Sequence, residues 1–260
     1  MDSIRRGGVS HDKIDTGPST RGWYGCYGTG ARSRVAKKHN ATVDVVHCRA
    51  QAHDLMPPGL SLNDFARKVM MEQAAELANR QEDHLRGILR RLSRDFGLTD
   101  KPISGGFAAC TFSEKEGRMA DVVKQAGRLA DLIVLPKPQR ERNLGQSSLK
   151  SALYGAGRPV LVCPGQLLPD ETFAEHVAIG WNGSLPASRA VASSLDIVRY
   201  AKRVSIVTDG KLQPHGPAVE ELINYYATRG INAEVVKFSG HEPSKALLAT
   251  SKDIKASLLV

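Results

Sequence analysis

Residues 176–209, HVAIGWNGSLPASRAVASSLDIVRYAKRVSIVTD, decide the fold of this chain. The stretch begins with a short apolar strand, Val177–Trp181, and ends with a second one, Val204–Thr208, and an amphipathic helix lies between them. The polar turn Asn182-Gly183-Ser184 follows the first strand directly. Open parallel sheets bind ligands at such Gly-containing turns, between the carboxyl end of a strand and the start of a helix. The stretch therefore predicts half of an α/β unit with a candidate ligand site at its turn.

A related order of elements occurs earlier in the chain. RVSIVTD at 203–209 corresponds to TVDVVHC at 42–48, and EPSKALLATSKDIKASLLV at 242–260 corresponds to GRMADVVKQAGRLADLIVL at 117–135. Repeated βα units predict a parallel sheet with right-handed crossovers. We therefore expect an α/β fold, a doubly wound parallel sheet built as two tandem repeats. One doubly wound domain without duplication is the alternative.

The two predicted repeats span residues 22–165 and 170–260. Residues 1–21 are polar, Gly-rich and charged, so we expect a disordered basic arm there. The first strand of the first repeat would be GWYGCYGTG at 22–30, which is degenerate because glycines interrupt its aromatic residues. A long helix is expected from Ser61 or Asn63 to about Phe96, with helical spacing of its apolar residues. The second repeat is predicted to be truncated after its fourth strand.

Composition excludes several classes of protein. The 260 residues are 41% hydrophobic and only 5% aromatic, which predicts an aliphatic core of the kind found in sheets covered by helices. No apolar run reaches the roughly 18–20 residues of a membrane span, and the N-terminus has no secretory h-region. The four cysteines form no C-x-x-C pair, so neither zinc nor a disulfide framework is expected. A cytoplasmic location fits this pattern.

The net charge of +9 raises the question of nucleic-acid binding. Residues 1–40 carry eight Lys or Arg against three Asp, which accounts for more than half of the excess. A basic arm of this kind can contact phosphates, but such segments are more often solvated tails. We therefore keep a nucleic-acid or scaffold role for the arm as an alternative.

Three blocks of the sequence resemble the universal stress protein family in its tandem form. They are VAIGWNGS at 177–184 with SRAVASSLDIVRYAKRVSIVTD at 188–209, GHEPSKALLATSKDIKASLLV at 240–260, and GRLADLIVLP at 127–136 with SALYGAGRPVLVCP at 151–164. The resemblance implies an adenine nucleotide alpha hydrolase-like α/β fold, with five parallel strands in each repeat and the two repeats packed as an internal pseudo-dimer. It also implies a homodimer as one assembly. Some family members bind ATP, many do not, and most have no established catalytic activity.

The sequence departs from the pattern of the nucleotide-binding members. They carry a Gly-x2-Gly-x9-Gly-Ser/Thr run after the fourth strand, whose N–H groups hold phosphates. The corresponding region here reads LPKPQRERNLGQSSLKSALYGAG at 135–157, with Pro136 in place of the first glycine. Gly145 with Ser147 and Ser148 is a remnant of the motif. The second repeat does not reach the position of the motif.

The candidate nucleotide site consists of Asn182, Gly183, Ser184 and Asp209. The family's acidic residue at the end of the first strand is Asn182 here, and its amide could still hydrogen-bond a base or a ribose. The alternative is structural, because an Asn-Gly-Ser sequence also makes a strand-to-helix turn and caps a helix.

No other motif indicates catalysis. There is no G-x4-G-K-S/T, no G-x-S-x-G, no paired histidine spacing and no evident carboxylate pair. We therefore expect a non-enzymatic stress-response protein with a degenerate nucleotide site, no metal, no membrane span and at most a weakly held adenine nucleotide. An ATP-binding or ATP-hydrolysing universal stress protein is the enzyme alternative.

Overall fold

The computed structural model describes residues 7–12, 41–49, 63–97, 109–138, 145–163, 173–211 and 214–260. The chain divides into two compact units, Met1–Leu167 and Leu168–Val260. Each unit contains one parallel sheet with helices, so the predicted doubly wound α/β fold is confirmed. The predicted packing of the repeats as a pseudo-dimer stays a prediction.

The first unit has a five-stranded sheet in the order β3-β2-β1-β4-β5, and every pairing in it is parallel. Its strands are β1 (Gly7–Asp12), β2 (Thr42–Arg49), β3 (Ala109–Glu116), β4 (Leu132–Pro136) and β5 (Val160–Cys163). Its helices are α1 (Asp64–Phe96), α2 (Met119–Gly127) and α3 (Gln146–Ser151), and α3 continues as a π-helix, Ala152–Ala156.

Strand β1 corrects the prediction of a disordered arm for residues 7–12. It lies in the middle of the sheet, where Gly8 pairs with Val43 of β2 on one side and with Leu132 of β4 on the other. Two parallel ladders hold a strand whose own sequence, GGVSHD, has little strand propensity. The rest of the predicted arm and the predicted first strand at 22–30 lie outside the described residues.

Helix α1 begins and ends at the residues that its sequence indicates. The Ala66 N–H donates to Asn63 Oδ1 at 2.8 Å, so Asn63 caps the helix. Gly97 follows the last turn with a φ of 65°, the left-handed conformation common at helix C-termini. Leu89 is buried in a cluster with Val43 and Val45, so the C-terminal half of α1 covers one face of β2. Helix α2 and the π-helix pack on the alternate residues of the sheet in a second cluster.

The second unit repeats this strand order. Its described strands pair in the order β8-β7-β6-β9, all parallel, which corresponds to β3-β2-β1-β4 of the first unit. They are β6 (His176–Gly180), β7 (Arg203–Thr208), β8 (Ala233–Lys237) and β9 (Leu258–Leu259). The helices are α4 (Leu185–Val198), α5 (Val219–Ala227) and α6 (Pro243–Asp253). Val177, Ile179, Val204, Ile206 and Tyr226 form the centre of its core.

Corresponding strand positions carry the same kind of polar pair in the two units. In the first, the Thr111 hydroxyl of β3 donates to the Asp44 carboxylate of β2. In the second, the Ser205 hydroxyl of β7 donates to Glu234 of β8 at 2.7 Å. The hydroxyl and the carboxylate have exchanged strands between the units. The shared register and the exchanged partners support the interpretation of the two halves as tandem repeats.

None of the helices that the structure describes has both the length and the apolar composition needed to cross a bilayer.

Candidate functional site

The turn after β6 is held by its own side chains. Asn182 is exposed, and its Oδ1 accepts a hydrogen bond from the Ser184 N–H at 3.1 Å. The Ser184 Oγ in turn accepts from the Ala187 N–H at 3.3 Å and caps α4. The geometry therefore agrees with the structural alternative: Asn182 makes the turn and Ser184 starts the helix.

Gly183 is required because two loops meet at this point. Its φ is 71°, and a Cβ placed on it would lie 3.0 Å from the Pro217 carbonyl oxygen and 3.2 Å from Gly216 Cα. Gly183 is also buried. The segment before α5 thus covers one side of the turn, and any side chain at position 183 would meet backbone atoms.

The first turn of α4 has few N–H groups left for a ligand. Pro186 has none, and the Ala187 N–H is bonded to Ser184. The Ser188 N–H donates to the Ser184 carbonyl at 2.9 Å. Only the Leu185 N–H remains among the first four residues of the helix. A helix N-terminus attracts an anion through such groups, so this end of α4 is a poor phosphate site.

Asp209 directly follows the neighbouring strand β7, and its carboxylate is also hydrogen-bonded within its own loop. Its Oδ1 accepts from the Lys211 N–H at 2.9 Å, and the buried Thr208 Oγ1 accepts from the Gly210 N–H at 3.1 Å. These bonds shape the loop after β7. One oxygen of the half-buried Asp209 carboxylate is left over for another donor.

The structure places all four predicted site residues at one edge of the second sheet. Gly180 of β6 pairs with Val207 of β7, and the Trp181 N–H donates to the Val207 carbonyl at 3.0 Å. The carboxyl ends of the two strands are therefore side by side, with Asn182 after one and Asp209 after the other. Their assignment to a nucleotide stays a prediction.

The remnant of the phosphate motif in the first unit has little donor capacity in its described part. Pro136 ends β4 without an N–H, and the Lys137 N–H donates to the Cys163 carbonyl at 2.7 Å. Gly145 has a φ of 77° and starts α3. Ser147 is exposed, whereas Ser148 is buried. Arg140 and Arg142 lie outside the described residues.

Sequence reasoning missed a polar network on the first unit, between α1 and the strands β2 and β3. Glu82 of α1 and Glu114 of β3 are near enough for each carboxyl group to shift the pKa of the other. Glu82 also binds Arg86 at 2.7 Å, and Arg49 lies 3.5 Å from Glu114. His47 is buried beside them and stacks on a neighbouring aromatic ring.

The carboxyl groups in this network have opposite pKa shifts. Burial, followed by the neighbouring carboxyl group of Glu82, raises the pKa of Glu114 above its ordinary value of 4.5. The hydrogen bond from Arg86 lowers the pKa of Glu82. The expectation that no carboxylate pair serves general acid–base catalysis stays a prediction. No spacing signal predicts the proximity of Glu82 and Glu114, because the two residues come from elements that are adjacent only in the folded sheet.

In the second unit the carboxyl group of Glu234 also has a shifted pKa. Hydrogen bonds from Ser205 and then Arg203 lower the pKa of Glu234, and the ring of His176 is also close. His176 Nε2 lies 2.7 Å from Ser205 Oγ, so the chain His176–Ser205–Glu234 crosses three strands. Ser205 is fully buried and sits between the other two, which is the wrong order for a nucleophile activated by a base.

Within the described segments, no three His, Cys, Asp or Glu side chains are grouped so as to hold a metal ion. The prediction of no metal concerns the whole chain and stays a prediction.

Comparison with known proteins supports the fold. No protein-family model matches the chain, and no curated protein matches it. A universal stress protein from Archaeoglobus fulgidus DSM 4304 is similar in structure, with a TM-score of 0.61 and 14% sequence identity over 96% of this chain and 85% of that one. A putative universal stress protein from Pseudomonas aeruginosa UCBPP-PA14 also matches, with a TM-score of 0.45 and 13% identity over 99% and 81% of the two chains. The chain has the α/β fold of the universal stress proteins, and the resemblance drawn from its residues is confirmed at the level of the fold.

Proposed function

We propose that the protein is a non-enzymatic, universal stress-type protein in which the nucleotide site has degenerated. The observation that carries this proposal is the use of the backbone donors at the turn after β6. The Ser184 N–H is bonded to Asn182, and the first turn of α4 keeps one N–H, that of Leu185. A phosphate cradle needs several such donors pointing outwards.

The energetic consequence is a weak site. A hydrogen bond to a charged group contributes about 1.5–3 kcal/mol, so the single N–H left in the first turn of α4 adds little against the hydration of a triphosphate. The exposed Asn182 amide nitrogen and the second oxygen of Asp209 are left to contact a base or a ribose. Together these groups support an affinity for ATP weaker than about 10 μM, which corresponds to roughly −7 kcal/mol.

The enzyme alternative is ATP hydrolysis at the same strand ends. It requires a positioned phosphate and a base, and Asp209 is the carboxylate available there. Phosphate release from Mg·ATP by the full chain tests this alternative. We expect no rate above buffer. A steady rate that disappears in Asp209→Asn would identify an enzyme and refute the proposal.

The second alternative is nucleic-acid binding through the basic N-terminal segment, favoured by the excess of positive charge in residues 1–40. A deletion of residues 1–21 would remove the central strand β1 together with the basic residues, so it would not separate charge from folding. Neutralising Arg5, Arg6, Lys13 and Arg21 leaves that strand intact. Retention on a polyanion at low salt that is lost in this variant would support the alternative. We expect weak retention that high salt removes in both proteins.

We also propose that the protein works in the cytoplasm, because its separated cysteines suit a reducing compartment. Its homodimer stays an expectation from the family resemblance.

A further inference from the structure

The C-terminal half of helix α1 has two sides of opposite character. Leu85, Ile88 and Leu89 are buried, and Leu89 packs on Val43 and Val45 of β2. The helical repeat of 3.6 residues brings a different set of residues to the side that points away from these contacts. This set, called here the arginine face, consists of Asp83, Gly87, Arg90, Arg91 and Arg94. All of them are exposed except the glycine, which is half-buried.

The ion pairs of α1 involve residues outside the arginine face. Among the described residues, Arg80 binds Glu76 at 2.6 Å and Arg86 binds Glu82 at 2.7 Å. The three arginines of the face have no carboxylate within ion-pair distance in the same part of the chain. Their guanidinium groups can therefore bind an anion from solution without first breaking a contact within the protein.

Gly87 lies in the middle of the arginine face. A glycine inside a helix destabilises it relative to alanine, and its advantage is that another group can approach the backbone closely. A Cβ placed on Gly87 would meet no atom of the described residues within 4 Å. The packing of the first unit therefore does not require a glycine here, and its effect is to leave the helix backbone uncovered beside the arginines.

The corresponding helix of the second unit lacks this charge. Helix α5 also follows the second strand of its unit and precedes the third, but its sequence VEELINYYA contains no Lys or Arg. Its first turn carries Glu220 and Glu221 instead. The fold therefore does not require arginines on this helix.

The composition of the face limits the kind of partner that fits it. A protein interface has an apolar centre, and a membrane-binding helix inserts an apolar side, but the apolar side of this half of α1 is buried in its own unit. Single-stranded nucleic acids stack their bases on aromatic side chains, and none of the five residues of the face is aromatic. Guanidinium groups match the oxygens of phosphates with two hydrogen bonds each.

We propose that the arginine face binds the phosphate backbone of duplex DNA without reading its sequence. An α-helix with its side chains is about 10–12 Å wide, and the major groove of B-DNA is about 12 Å wide, whereas the major groove of duplex RNA is too narrow. Gly87 lets the backbone of the helix approach the sugar and phosphate groups, and Asp83 ends the face because it repels phosphate. This surface is separate from the turn after β6 and from the basic residues 1–40.

The salt dependence of binding to a fluorescently labelled DNA duplex of random sequence tests the proposal. Each phosphate contact contributes about 0.9 to the slope of the logarithm of the binding constant against the logarithm of the salt concentration. The full chain with Arg90→Gln, Arg91→Gln and Arg94→Gln should therefore lose about 2.7 from this slope between about 50 and 200 mM salt. At about 50 mM salt its affinity should fall at least tenfold. An unchanged slope, or no binding by the wild type, would overturn the proposal.

A second triple variant provides the matched control. Arg67→Gln, Lys68→Gln and Arg80→Gln remove the same charge from exposed positions in the N-terminal half of the same helix. This variant should keep the wild-type slope, and both triple variants should keep the urea midpoint of the wild type, because the substituted side chains are exposed. Equal losses of slope in the two variants would mean that net charge alone attracts DNA, which contradicts a defined face.

Two single variants test the shape and the end of the face. Gly87→Ala should raise the urea midpoint, because alanine favours the helix, and should weaken binding to DNA, because the methyl group covers the backbone. Asp83→Asn should tighten binding, since it removes a charge that repels phosphate. Undiminished binding by Gly87→Ala, or weaker binding by Asp83→Asn, would contradict the arrangement.

Competition against the labelled duplex decides the class of partner. Unlabelled duplex DNA should compete better than duplex RNA of the same sequence, single-stranded DNA or polyglutamate at equal total charge. Stronger competition by polyglutamate would assign the face to an acidic protein. Stronger competition by duplex RNA or by single-stranded DNA would assign it to another nucleic acid. Each of these results contradicts the proposal.

Discussion

Replacing Gly183 by alanine tests the packing of the turn after β6. Two costs add at this position. A left-handed backbone costs alanine about 1 kcal/mol relative to glycine, because of the clash between Cβ and the following carbonyl. The Cβ would also lie 3.0 Å from the Pro217 oxygen, a backbone atom that cannot rotate away. Overpacking of this kind costs about 1–3 kcal/mol. We expect Gly183→Ala to reduce the free energy of unfolding of the second unit by about 2–4 kcal/mol.

Gly210 provides the matched control. It follows the neighbouring strand, its φ is 78°, and a Cβ placed there would have no atom within 4 Å. Gly210→Ala therefore has the conformational cost alone, about 1 kcal/mol. The difference between the two variants measures the close approach of the segment at 216–217.

Urea unfolding followed by the fluorescence of the buried Trp181 is a suitable assay. The chain has two tryptophans, so Trp23→Phe is the background for all variants. With a slope of about 1–3 kcal/mol per molar urea, a loss of 2 kcal/mol moves the midpoint down by roughly 1 M. Equal midpoints for Gly183→Ala and Gly210→Ala would refute the argument that two loops meet at Gly183.

Three further predictions concern the cores and the sheets. Tyr226 is fully buried, its Oη has no hydrogen-bond partner among the described residues, and burial raises its pKa. Tyr226→Phe should therefore leave the free energy of unfolding unchanged or raise it by up to about 1 kcal/mol in the same urea assay. A decrease of more than about 1 kcal/mol would mean that the hydroxyl has a partner. Ser205→Ala should raise the pKa of Glu234 towards 4.5, so the stability that depends on the ionised Glu234 should be lost at a higher pH during acid titration. An unchanged carboxyl 13C titration of Glu234 would count against its hydrogen bond with Ser205. Val9→Pro should destabilise the first unit by about 3 kcal/mol, since β1 is paired on both sides. Limited proteolysis should then cut the first unit and leave the second intact. Equal resistance of the two units to the protease would contradict the placement of β1.

The architecture could be predicted where strands carry their own signal. Runs such as LIVLP at 132–136 and HVAIG at 176–180 are apolar enough to indicate buried parallel strands. The strand at Gly7–Asp12 could not be found in this way. It begins with two glycines, and its place in the sheet depends on ladders to residues more than 30 and 120 positions away. Pairing that is set by tertiary context leaves no local pattern.

The candidate sites also differ in whether the local sequence predicts them. The turn at Asn182–Ser184 is local chemistry, so the residues themselves predict that one side chain makes the turn and another caps the helix. The network of Glu82 and Glu114 joins a helix to a strand, and only folding brings the carboxyl groups together. The same holds for the contact between Gly183 and Gly216, which belongs to two separate loops.

The central claim is that the backbone donors which would hold a phosphate are used within the protein itself. Equilibrium binding of ATP to the full chain by titration calorimetry, with and without magnesium, measures this most directly. The account predicts dissociation constants weaker than about 10 μM in both conditions, near or above −7 kcal/mol. A dissociation constant tighter than about 10 μM, lost on substitution of Asn182 or Asp209 by alanine, would contradict it, because donors that are already bonded cannot provide that affinity.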